Sequence, residues 1–108
     1  MLYRVRARII GKKLENFFHK LTDESIEKQK PDGMEIVASM RRAKISSPGV
    51  VEWCETCYCP TPLAHERQTV YDYFFTEIYT REISSKPEIG GESFWDYMAQ
   101  HRSKPQSK

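Results

Sequence analysis

From Tyr3 to Ile9 the chain alternates strictly: Tyr3, Val5, Ala7 and Ile9 are apolar, and Arg4, Arg6 and Arg8 stand between them. A period of two separates these sets cleanly only in an extended strand, where successive side chains point to opposite faces. Residues 2–10 therefore predict a strand with one buried face and a row of guanidinium groups on the other, ended by Gly11. Such a strand needs a second layer over its apolar side, while an antiparallel sheet can leave the arginine side accessible.

The period then changes. Leu14, Phe17, Phe18 and Leu21 recur at helical spacing, so residues 12–22 predict an amphipathic helix. Its outer face carries Lys12, Lys13, Glu15, Asn16, His19 and Lys20, which makes His19 a surface residue rather than a ligand. Thr22 to Gly33 is polar and ends in the turn signal Pro31-Asp32-Gly33. It reads as a long loop with a short helical turn around Ser25–Lys28. In residues 34–46, Ile36, Val37, Met40 and Ala43 suit a helix face. Ser46-Ser47-Pro48-Gly49 before a clear strand is instead a hairpin signal. Most of 36–46 is therefore expected to be a second strand with a helical or bulged start.

Residues 50–59 are rich in β-branched and aromatic side chains and predict a third strand. Val51, Trp53, Glu55, Cys57 and Cys59 form its more apolar face, and a bulge is expected near Glu55 to relieve the misplaced carboxylate. Thr61-Pro62 signals a helix start, with Leu63, Val70, Tyr73 and Phe74 on the buried side. Residues 76–83 predict a fourth strand. Beyond Ser84 come a linker, a short aromatic helical segment at Phe94–Met98, and a basic tail from His101 to Lys108 that reads as disordered.

The order β-α-β-β-α-β over residues 2–83 resembles a ferredoxin-like plait. That resemblance implies an α+β domain at 1–83, with a four-stranded antiparallel sheet, strands 1 and 3 central and two helices on one face. Residues 84–108 form a C-terminal extension. It is a resemblance of fold and carries no activity. Trp53-Cys54-Glu55-Thr56-Cys57-Tyr58-Cys59-Pro60-Thr61-Pro62-Leu63 also resembles a stretch of a group of small uncharacterised bacterial proteins, which implies no activity either.

Length and charge narrow the function classes. A chain of 108 residues supports one core, and a net charge of +2 argues against a protein built to coat nucleic acid. No apolar run approaches the roughly 20 residues of a membrane span, and the early arginines interrupt any signal-peptide core. Three cysteines are an odd number, which disfavours a closed disulfide framework and leads us to expect a reducing, cytoplasmic location.

Cys54-x-x-Cys57-x-Cys59 followed by His65 supplies the thiolate and imidazole ligands that zinc prefers. In a continuous strand, however, Cys54 points away from the other two, and Cys57 and Cys59 sit about 6.5–7 Å apart. The thiols are therefore expected to be small buried hydrophobes, with no cofactor predicted and zinc the alternative. Cys59 near a helix start, with His65 one turn in, is the candidate for nucleophilic or redox chemistry.

On the open face, Arg4, Arg6, Arg8 and Tyr58 form a candidate surface for anions or nucleic acid, against a plain salt-bridge ladder with Glu52. The aromatic pattern of RNA-recognition modules is absent, so nucleic acid is not the expected partner. The chain is expected to form a homodimer that covers this same face, as in the dimeric α/β-barrel group that such a plait would resemble. Phe94, Trp95, Tyr97 and Met98 either fold back on their own domain or dock another protein. The sequence favours a non-catalytic binding or protein-interaction module using the open face or the tail. The rival is a small dimeric enzyme, or a Cys/His redox or metal-binding protein.

Overall fold

The computed structural model describes residues 1–46 and 48–101. The alternating N-terminal segment forms β1 (Leu2–Ile9), which buries Tyr3, Val5 and Ala7 and turns its arginines to the other face. Helix α1 (Leu14–Thr22) follows a single 3-10 turn and buries Leu14, Phe17, Phe18 and Leu21. His19 lies on its exposed side. The loop to residue 32 contains the expected helical turn, with bonds from Lys28 N–H to Glu24 O and from Gln29 N–H to Ile26 O, and is pinned by the buried Ile26.

The chain next forms helix α2 (Gly33–Arg42), then the short strand β2 (Lys44–Ser46) and strand β3 (Val50–Thr56). The expected strand over most of 36–46 is corrected: three residues are extended, and Ile36, Val37 and Met40 form a buried helix stripe. The hairpin is present. Gly49 N–H bonds Ser46 O, and Gly49 adopts φ +96°, a conformation glycine takes without steric cost. β3 stops at Thr56, three residues short of the expected end.

The second helical region is also corrected. It begins with α3 (Ala64–Glu66), not at Thr61-Pro62, and Leu63 precedes it in the left-handed region at φ +56°. A π-helical segment (Arg67–Tyr71) and α4 (Asp72–Phe74) continue it. The wider π turn changes which residues face inward. Tyr71 is fully buried and Tyr73 exposed, whereas Leu63, Val70 and Phe74 are buried as expected. β4 (Phe75–Ile83), β5 (Glu92–Ser93) and α5 (Phe94–His101) complete the chain. His101 is thus helical; residues 102–108 of the expected tail lie outside the described residues.

The architecture is α+β. One five-stranded antiparallel sheet runs in the order β4-β1-β3-β2-β5, with β1 and β3 adjacent and central. Pairing of β1 with β3 is unbroken from Leu2–Thr56 to Arg8–Val50, so there is no bulge at Glu55. The irregularity lies in β4 instead, where the register slips between the partners of Arg6 and Arg8 and Glu77 takes φ +53°.

All helices lie over the face that carries Val5, Val51 and Trp53, and one core joins them. Phe17 is its hub, stacked on Phe74 at 4.5 Å and touching Phe75 and Phe94. The aromatic tail folds back: Phe94 and Met98 are fully buried, Trp95 meets Phe18 edge-on at 5.3 Å, and Tyr97 packs at the margin. Arg41 also stacks on Trp95.

Since β4 and β5 are opposite edges, residues 84–91 must cross the width of the sheet. Cys54 points to the open face yet is 6% exposed, and the Lys86 charge is near enough to act on its thiol. Among the described residues no helix is long and apolar enough to cross a membrane.

Candidate metal centre

β2 is short, so the outer edge of β3 loses its strand partner beyond Glu52. Side chains of α2 replace it. Arg42 Nη2 donates to Cys54 O at 2.9 Å, and Thr56 N–H donates to Glu35 Oε2 at 3.0 Å. Arg42 and Glu35 also pair with each other at 3.4 Å. This docking brings the start of α2 against the point where β3 ends. Gly33 lets the preceding loop pass close against the start of α2, because a Cβ there would collide with the backbone carbonyls of Ile26 and Glu27.

Past Thr56 the chain bends, held at its start by Cys57 N–H bonding Met1 O at 2.9 Å. The bend removes the objection to a metal site that a continuous strand would raise. Cys59 N–H donates back to Cys57 Sγ at 3.2 Å, and the Leu63 backbone also hydrogen-bonds that sulfur. Both thiols then meet one carboxylate. Cys57 Sγ and Cys59 Sγ each lie 3.5 Å from Glu66 Oε1, and the ligand atoms of all three residues fall within 4.8 Å of one another.

Glu66 is 1% exposed, and among the described residues no cation pairs with it. Burying a carboxylate without a counter-charge is costly. Burial pushes the Cys57 thiol up to about 12, reinforced by its hydrogen bond with the Cys59 thiol and the charge of Glu66. The three residues line a cavity of about 380 Å³, whose far wall is Pro31, Asp32 and Glu35.

A second buried carboxylate lies behind this one. Glu55 is fully enclosed and accepts from Trp53 Nε1 at 2.8 Å and from the Tyr71 hydroxyl at 2.6 Å, both on Oε1. Its Oε2 has no partner among the described residues. Burial raises its pKa to about 8, with the Glu66 and Glu35 charges adding and the two hydrogen bonds opposing. Burial and the neighbouring Glu55 likewise hold the Tyr71 phenol well above its ordinary range.

The other sequence candidates separate. Cys54 lies on the opposite sheet face, and burial raises its thiol pKa. His65 turns its Nδ1 to Asp32 at 2.9 Å, and no hydrogen bond joins it to Cys59 among the described residues. Tyr58 is exposed, but it stands in the bend beyond β3 and not on the sheet. Arg4 bonds Glu52 at 3.1 Å, and Arg8 donates to Pro48 O and approaches Glu77 at 3.6 Å.

Sequence reasoning missed Glu66, hidden in the polar run Ala64-His65-Glu66-Arg67. No periodic signal marked it, because residues 57–63 form an irregular bend and α3 begins only at Ala64. Comparisons with protein-family models, with curated proteins and with solved structures find no match for this chain.

Proposed function

We propose that this is a small metal-binding protein whose site is formed by Cys57, Cys59 and Glu66, with zinc as the fitting ion. The observation that carries the reading is the pair of 3.5 Å sulfur–oxygen distances to a buried, cation-free carboxylate. A tetrahedral zinc about 2.3 Å from sulfur and about 2.0 Å from oxygen would separate those atoms by about 3.5 Å. The two sulfur–oxygen edges of the cluster thus have the length such an ion imposes. The backbone N–H directed at Cys57 Sγ supports a charged sulfur, as hydrogen-bonded ligand sulfurs do in metal sites.

Three protein ligands leave one tetrahedral position, and the cavity beside the cluster gives it room. The ion must displace protons from both thiols, so uptake is coupled to proton release. We read the fold as a ferredoxin-like plait extended by β5. The antiparallel order β4-β1-β3-β2 supports this reading.

The test is cobalt substitution followed by zinc competition on purified protein. A single equivalent of cobalt is expected to give a thiolate charge-transfer band and intense tetrahedral d–d bands, which zinc abolishes. Cys57→Ala and Glu66→Ala should each weaken binding, while Cys54→Ala should leave it unchanged. Equal binding by wild type and Cys57→Ala would defeat the assignment.

A further inference from the structure

The face of the sheet away from the helices carries an unbalanced group of cations. Cross-strand register sets Arg4 directly opposite Arg81, and Arg6 directly opposite Tyr79. Like charges facing each other across strands destabilise a sheet. Glu52 stands directly opposite Arg6 on β3 but bonds Arg4 instead, and among the described residues neither Arg6 nor Arg81 forms an ion pair. Beside them Tyr79 is 62% exposed, a large ring left facing water on a strand. Arg4, Arg6, Arg81, Tyr79, Thr80 and Glu52 together line a depression of about 390 Å³.

We infer that this depression binds a small organic phosphate with a planar ring, such as a mononucleotide. Arg6 and Arg81 would hold the phosphate and Tyr79 would stack on the ring. Guanidinium groups present forked donors that match phosphate oxygens, and their delocalised charge is favourable where two must converge. A phosphate between Arg6 and Arg81 would also relieve the repulsion that the Arg4–Arg81 register builds in. The volume suits a ligand of mononucleotide size. Glu52 does not oppose the anion with a free charge, because Arg4 already holds it.

A strand of nucleic acid fits less well, since it needs successive stacking platforms. Among the described residues Tyr79 is the only exposed aromatic on β1, β3 or β4. A second copy of the chain fits less well too, because a two-fold contact through this face would set its arginines against their counterparts. The site lies on the opposite side of the sheet from the Cys57–Cys59–Glu66 cluster and does not depend on it.

The experiment is titration of the full chain with AMP, followed by amide chemical shifts, against adenosine and inorganic phosphate as halves of the probe. AMP should shift the amides of β1 and β4 and bind more tightly than either half. Arg6→Ala and Arg81→Ala should each weaken AMP by about tenfold or more, the loss of one charge-assisted contact. Tyr79→Ala should weaken AMP but not phosphate, and Tyr79→Phe should restore it. These positions are on the surface, and circular dichroism will confirm that the variants fold. AMP binding unchanged in Arg81→Glu would overturn the inference. So would no AMP binding, tighter binding of oligo(A) RNA than of AMP, or a dimer in sedimentation that Tyr79→Glu dissociates.

Discussion

The hydroxyl of Tyr71 donates to Glu55 Oε1 across 2.6 Å in the interior of the protein. The π-helical segment creates this relationship, because it turns Tyr71 inward to meet a carboxylate that the period of β3 forces into the core.

Glu55 gives stability a definite pH dependence. Its pKa rises from an ordinary 4.5 to about 8 on folding. Between those values the folded chain holds a proton that the unfolded chain has lost. Stability should therefore fall as pH rises through this window, by up to about 1.4 kcal/mol per pH unit near its middle, and level off above it. Glu55→Gln keeps the acceptor for Trp53 and Tyr71 and removes the charge. Denaturant titrations of chelator-treated protein from pH 5 to about 9 should show this slope in wild type and a flattened one in Glu55→Gln. Parallel curves would show that Glu55 does not titrate there.

Zinc should stabilise the folded chain through its ligands. A ligand at one hundred times its Kd contributes about 2.7 kcal/mol when it binds only the native state. Thermal scans with zinc and with a chelator should therefore differ for wild type and for Cys54→Ser. Cys57→Ser should lose most of that difference. An equal zinc shift in Cys57→Ser would place the ion elsewhere.

Phe94 anchors α5 in the core that Phe17 and Phe75 share. Phe94→Ala should cost about 3–5 kcal/mol, the usual loss for a buried aromatic ring. Urea denaturation will measure it. A loss below about 1 kcal/mol would mean that α5 is not integral to the core.

Gly33→Ala should cost more than its single methyl suggests, because that methyl must displace the backbone at Ile26 and Glu27. We expect about 1–3 kcal/mol, the range for overpacking. Asp32 and Glu35 should shift with it, so zinc affinity should fall as well. Unchanged stability would show that the loop yields without cost.

The fold was legible where one period governed a segment long enough to read. Leu14, Phe17, Phe18 and Leu21 identify α1 because helical spacing is their only consistent explanation. Ile36, Val37, Met40 and Ala43 carry the same signal for α2, but the turn at Pro48-Gly49 marks a hairpin without showing how short its first strand is. Tyr73 was misplaced because a π turn changes the period within a helix, and no local residue announces it. Glu55 was recognised as misplaced, yet its remedy was remote: Tyr71 lies sixteen residues away. The candidate site depended on where β3 stops. Extension to Cys59 separates the thiols, whereas termination at Thr56 lets them converge on Glu66.

The central position of β1 bears on how this chain folds during synthesis. Its Leu2 lies between Thr56 and Ile83, so β1 has no strand neighbour until the second half of this sequence arrives. Both pairings close long loops, which slows folding and leaves Tyr3, Val5 and Ala7 unsheltered in the meantime. The alternating arginines then act as gatekeepers. They keep a waiting apolar strand soluble and discourage it from pairing with the same strand of another nascent chain.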